Sequence, residues 1–309
     1  MCLNNKNLKK QAAAASVSTA LILSIIKAGA VIYTGSLSVL SSMIDSLSDV
    51  LSSLITFVAV KFSDKPLTDR HRYGYGKIEC VSALLQAAFI AGSAAFILYD
   101  GIKRFANPTP MRQTVSGIVI MVISLILTFM LIGFQKYVVK KTQSKAIAAD
   151  SAHYVVDVLS NLAVILSLAV VHIWHIEWFD VVTALLIAAY LIFNAYDITA
   201  DALKEITDAE VDPAIKNEIL ALVQKVDGVL GCHDFRSRVS GARMFIELHL
   251  EMDGNATLFT AHEISDKVEQ LIVNRFEQAQ VIIHQDPHGI EEYRLDHQIS
   301  GHYDEHLSS

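Results

Sequence analysis

The sequence predicts an all-α membrane bundle of six transmembrane helices, followed by a small cytoplasmic α+β domain. Of the 309 residues, 52% are hydrophobic and 18% are charged, and both values lie on the membrane side of the averages for soluble domains. Apolar runs long enough to cross a hydrocarbon core recur six times in the first two-thirds of the chain. After Asp201 the composition changes to that of an ordinary acidic, soluble domain.

Short segments join the predicted spans, and these segments alternate between strongly basic and weakly basic. Basic residues gather before the first span, between the second and third, and between the fourth and fifth, whereas the opposite joints hold only Lys103, Arg104 and Arg112. The positive-inside rule then places both termini in the cytoplasm. The spans cover residues 11–33, 38–62, 80–101, 114–136, 147–172 and 179–201.

Beyond the last span, the pattern indicates the element order αββαβ. Asp212 and Pro213 begin a helix, and the runs LGCHDFRSRVS and ARMFIELHLEM form a hairpin that turns at Ser240 and Gly241. The helical stretch TLFTAHEISDKVEQLIVNRF and the strand AQVIIHQDP follow. We therefore divide the chain into a transmembrane domain, 1–205, a cytoplasmic domain, 206–290, and a polar tail without periodicity, 291–309, which we expect to be disordered.

The composition also excludes several classes of protein. The three cysteines form no CxxC pair, so the sequence implies neither a disulfide framework nor a structural zinc knuckle. A basic stripe of the kind that binds nucleic acid is absent from the sequence.

Two carboxylates lie within the second apolar run. In the stretch IDSLSDV, Asp45 and Asp49 are four residues apart, so a helix presents both on one face. A charged residue at the centre of a span costs roughly 2.5 to 3.5 kcal/mol, and two like charges at this spacing repel each other. The pair is therefore more easily explained as half of a cation site than as an ion pair.

The fifth span supplies a matching pair. In ADSAHYVVDVLSN, His153 and Asp157 are again four residues apart. Together the two helices offer three carboxylates and one imidazole, a set that suits tetrahedral Zn²⁺ with bonds of about 2.0 to 2.2 Å. One such residue alone is as well explained by helix packing or an interfacial position, but two matched pairs favour a metal site.

Four segments carry a resemblance to a known family: YTGSLSVLSSMIDSLSDVLSSL, DRHRYGYGKIE, ADSAHYVVDVLSN and VIIHQDPHG. In this order, with six spans and an αββαβ domain, they resemble the cation diffusion facilitator family, and within it the bacterial ferrous-iron/zinc efflux pumps. The resemblance covers residues 8–290. It places the family's transport site on Asp45, Asp49, His153 and Asp157, the four residues that the spacing selects.

The resemblance also implies a function. It predicts a transporter, not an enzyme, that exports a divalent transition-metal cation from the cytoplasm by alternating access, in exchange for protons. The protein would be a homodimer in the inner membrane of a bacterium. Zn²⁺ or Fe²⁺ would serve both as substrate and as regulatory ligand, without an organic cofactor.

A second metal site is implied in the cytoplasmic domain, which the resemblance describes as a ferredoxin-like dimerisation domain. Its binuclear site maps to His233, His249, His262, His284 and Asp286. The residues give partial support, because His284 and Asp286 share one strand face and His249 lies on the polar face of its strand. Solvated surface histidines are the alternative.

The loop between the second and third spans departs from the family pattern. Asp69 and His71 are present, but Thr68 and Tyr75 stand where the relatives have an acid and a second histidine. The sequence therefore predicts an incomplete metal site in this loop. Lys77 resembles the family's loop lysine, which forms a salt bridge with an acid after the sixth span, here Asp208.

The ligand types narrow the choice of metal without fixing it, and two other classes of membrane protein have to be compared with a transporter. Three carboxylates and a histidine exclude soft Cu(I) and are less suited to Mg²⁺ or Ca²⁺. Zn²⁺ fits best, while Fe²⁺, Cd²⁺ and Mn²⁺ remain open. A membrane-anchored metal sensor that does not transport would not need the intramembrane pairs. A passive channel is disfavoured, because a channel must let its ion leave quickly and four ligands would hold the ion tightly.

Overall fold

The computed structural model describes residues 2–34, 37–106, 115–174, 178–290, 294 and 296. They form two compact units, the first ending at Lys204 and the second beginning at Glu205. The predicted tail therefore lies outside the described residues, except for Arg294 and Asp296.

Long helices make up the first unit, and each predicted span falls on a separate one. Each helix has 27 to 33 residues, a length of about 40–50 Å at 1.5 Å per residue. They are α1 (Cys2–Thr34), α2 (Leu37–Ser63), α3 (Ile78–Ala106), α4 (Val115–Thr142), α5 (Lys145–Trp174) and α6 (Trp178–Ile206).

Four of these helices contain, within the described residues, a stretch that is long and apolar enough to cross a membrane. These stretches are Asn7–Gly29, Ile78–Tyr99, Val122–Thr142 and Leu185–Ile206. The number of six spans therefore stays a prediction, although the described residues form six long helices in this part of the chain.

Small residues allow the helices of the first unit to pack closely. Ala12 and Ala13 on α1 and Ala59 on α2 are buried in one cluster with Val138 on α4, and small side chains at such interfaces let helix backbones approach each other. Large apolar side chains such as Met130, 69% exposed, lie on the outside, as expected for contact with lipid. Helix α5 packs against α2, α3 and α4, so its polar residues meet those of α2.

The second unit confirms the predicted αββαβ order. It contains α7 (Pro213–Val223), β1 (Gly231–Ser240), β2 (Arg243–Met252), α8 (Leu258–Arg275) and β3 (Ala279–Pro287). The Asp212 side chain accepts a hydrogen bond from the backbone N–H of Ala214 and caps α7. Strands β1 and β2 pair antiparallel, whereas β2 and β3, joined through α8, pair parallel. The sheet in the described residues is thus mixed and three-stranded, in the order β1-β2-β3.

One face of this sheet carries the core of the second unit, as the alternation in β2 predicts. Four alternate β2 residues, at 246, 248, 250 and 252, are buried in one cluster with side chains of α7 and α8. The residues between them, including His249 and Glu251, therefore point to the other face. Both helices thus cover one face of the sheet, and the histidines lie on the opposite one.

Candidate metal centres

The first candidate centre lies between α2 and α5. Asp49, His153 and Asp157 bring their ligand atoms within 4.8 Å of one another. His153 Nε2 lies 3.3 Å from Asp49 Oδ1 and 4.0 Å from Asp157 Oδ2. His153 is 6% exposed, and its Nδ1 has no hydrogen-bond partner among the described residues. One imidazole nitrogen therefore faces both carboxylates.

These distances suit a cation of the size of Zn²⁺. Ligand atoms on a tetrahedral Zn²⁺, at bond lengths of about 2.0 to 2.2 Å, are separated by roughly 3.3 to 3.6 Å. The pair formed by His153 and Asp49 already has this separation, and small side-chain rotations would bring Asp157 to it. Three of the four residues that the spacing selects thus lie together.

The fourth residue, Asp45, lies on α2 one turn before Asp49. Its side chain is outside the described part of the structure. Its place in the centre therefore stays a prediction from the helical spacing.

The second candidate centre lies on the open face of the three-stranded sheet. His233 pairs in register with His249, and His249 pairs in register with His284, so the three imidazoles form a row across the strands. Asp286 Oδ2 lies 2.8 Å from His249 Nδ1 and 3.4 Å from His233 Nε2, and its Oδ1 lies 3.1 Å from His284 Nε2. One buried carboxylate therefore contacts three imidazoles, which is the geometry of a bridging ligand.

A β-bulge in β1 positions His233. The pairing with β2 shifts between His233 and Arg236, and Asp234 takes a φ of 49°. The extra residue lets His233 face the histidine row while Phe235 lies in the core on the other side. Asp234 also lies within reach of His233 and His249.

His262 does not join this row within one chain. It lies on α8, which packs against the core face of the sheet. Its side chain is 66% exposed, and its Nε2 lies 3.6 Å from Asp266 Oδ2, one turn further along the helix.

Three residues next to the row were missed by the sequence reasoning. Glu251 Oε1 lies 3.1 Å from His233 Nδ1 and 2.7 Å from Arg294 Nη2, and its Oε2 lies 2.7 Å from His288 Nδ1. The hydrogen bond with His288, followed by the charge of Arg294, holds the pKa of Glu251 below its ordinary value. Glu251 follows His249 by two residues on the same strand face, and this spacing is the signal that could have identified it.

The neighbouring cysteine is not a ligand of this row. Burial, with the nearby Asp296 and Glu251 carboxylates, raises the pKa of Cys232 to about 11. A raised pKa makes the thiolate less available, and the side chain lies on the other face of β1 from that of His233, its neighbour in the chain. Cys232 packs against the core of the second unit, as predicted for a small apolar side chain.

In the loop between α2 and α3, the hydrogen-bonding neighbours of His71 are hydroxyl groups. His71 Nδ1 lies 3.0 Å from the Tyr75 hydroxyl and 3.4 Å from Thr68 Oγ1, so its neighbours are the two residues that depart from the family pattern. Asp69 belongs to none of the groupings of candidate metal ligands found among the described residues.

The two residues of the predicted salt bridge belong to different units, Lys77 to the first and Asp208 to the second. Within the second unit, Asp208 Oδ2 lies 3.7 Å from Arg238 Nη1. The bridge to Lys77 stays a prediction.

Apolar helices around a carboxylate–imidazole centre, with a second such centre on a separate α+β domain, define a metal-cation transporter. Comparison with known proteins identifies which kind. Residues 13–207 match the family model described as the cation efflux transmembrane domain, and residues 211–288 match that of the cation efflux protein cytoplasmic domain. The chain belongs to the cation diffusion facilitator family.

Curated relatives match over nearly the whole chain. The cation-efflux pumps FieF of Escherichia fergusonii and Salmonella arizonae are 41% and 42% identical to it, each over 281 residues that cover 91% of this chain and 93% of the relative. The metal-bound C-terminal domain of the CzcD transporter from Thermotoga maritima is 30% identical over 26% of this chain and 93% of that domain, with a TM-score of 0.25.

The family and its relatives establish the general function of the protein. The protein is a membrane transporter of metal cations that works in efflux, and it is not an enzyme. Its cytoplasmic domain belongs to a dimerisation family, which indicates that the protein forms dimers.

Proposed function

We propose that this protein exports Zn²⁺ from the cytoplasm in exchange for protons, by alternating access in the inner membrane of a bacterium, with both termini in the cytoplasm. The observation that carries the proposal is the cluster of Asp49, His153 and Asp157 between two helices of the membrane domain. Asp45 would complete four ligands. A site made from two rigid helices can open to either side when those helices move relative to their neighbours.

The donor set supports a borderline divalent metal. Carboxylate and imidazole without thiolate suit Zn²⁺ and also Fe²⁺ and Cd²⁺. Export of Mn²⁺ by the same mechanism is the alternative substrate. A membrane-anchored sensor without transport is the alternative function, and the intramembrane cluster argues against it because a sensor has no use for ligands there.

Protons can drive such an exporter because they compete with the metal for the same ligands. A carboxylate and an imidazole bind Zn²⁺ only after they lose their protons, so metal binding releases protons and protonation releases metal. An acidic exterior would therefore favour release of the metal on that side.

The second candidate centre, on the open face of the three-stranded sheet, is the sheet centre, and we propose that it is a regulatory metal site in the homodimer. Its ligands within one chain are His233, His249, His284 and Asp286. Glu251 contacts the Nδ1 atom of His233 and orients this imidazole, as outer-shell carboxylates do for metal-bound histidines. His262 lies on the helix side of the sheet, so a ligand role for it requires a second chain. Metal bound at this centre would stabilise one arrangement of the dimer and thereby bias transport.

Asp286→Ala is expected to weaken zinc binding at the sheet centre by at least about 100-fold, because loss of an outer-shell partner alone costs 10- to 100-fold and Asp286 contacts three imidazoles. Titration of the full-length protein with Zn²⁺ by calorimetry measures the loss. Asp266→Ala, which removes an exposed carboxylate on α8, is the matched control. Equal zinc affinity of the two variants would contradict the assignment.

The function as a whole is tested in sealed vesicles that contain the purified protein. Uptake of Zn²⁺, Fe²⁺, Cd²⁺ and Mn²⁺ is followed with and without an imposed pH gradient, and protein-free vesicles give the background. We expect Zn²⁺ uptake to be faster when the vesicle interior is more acidic than the exterior, because protons then leave the vesicle as zinc enters. Uptake that does not respond to the gradient would refute the exchange, and faster uptake of Mn²⁺ would favour the alternative substrate.

A further inference from the structure

A buried carboxylate lies one helical turn before His153. Asp150 on α5 is fully buried. Its Oδ2 accepts hydrogen bonds of 2.6 Å each from Ser16 Oγ on α1 and Gln135 Nε2 on α4. Ser16 Oγ lies 2.8 Å from Ser53 Oγ on α2. One carboxylate thus joins α1, α4 and α5 beside the candidate transport centre.

Among the described residues, no lysine or arginine forms an ion pair with Asp150, and the nearest group that can become cationic is the imidazole of His153. The hydrogen bonds of Asp150 in the described residues come from neutral groups. Glu79, the other fully buried acid of the membrane domain in the described residues, pairs with Lys9 Nζ at 2.8 Å. An unpaired charge in a low-dielectric interior is costly, and such groups usually become neutral. A bound proton would neutralise Asp150.

Two buried oxygen atoms at Asp150 and Gln135, without hydrogen-bond partners among the described residues, support a proton bound to Asp150. Oδ1 of Asp150 has no hydrogen-bond partner among the described residues, and neither does Oε1 of Gln135. Both atoms are buried acceptors, and leaving such groups unsatisfied costs free energy. A proton on Oδ1 turns one of these acceptors into a donor.

The helix couples this carboxylate to the transport centre. Asp150, His153 and Asp157 are spaced i, i+3 and i+7, so they share one face of α5. The titratable groups that act on Asp150 in the described residues are His153 and Tyr154 on its own helix. Asp49 on α2 contacts His153, while α1, α2 and α4 contribute the neutral groups Ser16, Thr56 and Gln135. A divalent cation bound at the centre would repel a proton held one turn away.

We propose that Asp150 carries one of the protons that the transporter exchanges for metal. The carboxyl O–H is intact while the transport centre is empty, and it dissociates to carboxylate and a free proton when the cation binds. This inference rests on the proposed proton exchange. It adds a proton site outside the metal ligands, so the ligands need not carry every counter-transported proton.

The test compares wild type with Asp150→Asn, which keeps an accepting oxygen and the side-chain shape but has no titratable proton. Proton release on Zn²⁺ binding is measured for the full-length protein in weak buffer, where the sheet centre contributes equally to both proteins. We expect the variant to release about one proton fewer per zinc. In vesicles with a pH gradient of one unit, steady-state zinc accumulation should fall about tenfold, since one pH unit per proton is a factor of ten.

A matched control separates proton carrying from a structural role. Ser16→Ala removes one hydrogen bond to Asp150 and keeps the acid, so its proton count should equal that of wild type. An unchanged proton count in Asp150→Asn, or an equal loss in Ser16→Ala, would overturn the inference. If Asp150→Asn binds no zinc, Asp150→Glu must restore binding with the full proton count, and its failure to do so also overturns the inference. A wild type that ignores the pH gradient refutes the proposed exchange itself.

Discussion

Asp49→Ala is expected to lower the initial rate of zinc transport in vesicles by at least about 100-fold, because removal even of an outer-shell partner weakens metal sites by 10- to 100-fold. Asp49 Oδ1 lies 3.3 Å from His153 Nε2 across the interface between α2 and α5. Alanine removes the carboxylate that links the two helices through the metal. It also leaves His153 and Asp157, both on α5, as the described ligands.

The rate should be measured over a range of zinc concentrations, so that weaker binding is distinguished from slower turnover. Asp201→Ala is the control, since Asp201 lies near the end of α6, its side chain is 56% exposed, and it contacts Lys145 and Lys204. We expect it to transport at the wild-type rate. Transport by Asp49→Ala at the rate of the Asp201→Ala control would show that the cluster is not the transport site.

The helices of the membrane domain could be predicted from the sequence, but their ends could not. The apolar run of the fourth span stops near Lys136, whereas α4 continues to Thr142. The predicted span ends at the first lysine, whereas the helix continues through Tyr137, Val138 and Val139 to Lys140 and Lys141. Only Gln143 and Ser144 separate α4 from α5, and Gln143 makes this tight connection with a φ of 53°.

The two centres differ in how much the sequence specifies. The ligands of the intramembrane centre repeat at i, i+4 on each helix, so helical geometry alone groups them. The row on the sheet depends on the parallel register of β2 with β3, which sets His249 beside His284 and Glu251 beside Asp286. This pairing is long-range, so the order of residues does not fix it. The spacing along β2 places Glu251 beside His249, but its position beside Asp286 follows only from this register.

Glu79→Gln is expected to destabilise the membrane domain by about 3–5 kcal/mol, the usual cost of removing one partner of a buried ion pair. Glu79 lies in the first turn of α3, and its Oε1 accepts hydrogen bonds of 2.8 Å from Lys9 Nζ on α1 and 2.9 Å from Ser63 Oγ on α2. Ser144, before α5, also hydrogen-bonds to it. Glutamine keeps an oxygen for the serines but leaves the Lys9 ammonium buried without a counter-charge.

The double variant Lys9→Met/Glu79→Gln separates this charge effect from the loss of packing. Because it removes both charges, it should recover most of the lost stability, as replacement of a whole buried pair by uncharged groups often does. Lys204→Met breaks the exposed pair with Asp201 and should change stability by about 0–1 kcal/mol. Thermal unfolding of the purified proteins in one detergent gives the comparison. If the double variant is no more stable than Glu79→Gln, the unpaired Lys9 charge is not the cause, and the stabilisation lies in the hydrogen bonds that Glu79 makes to the serines.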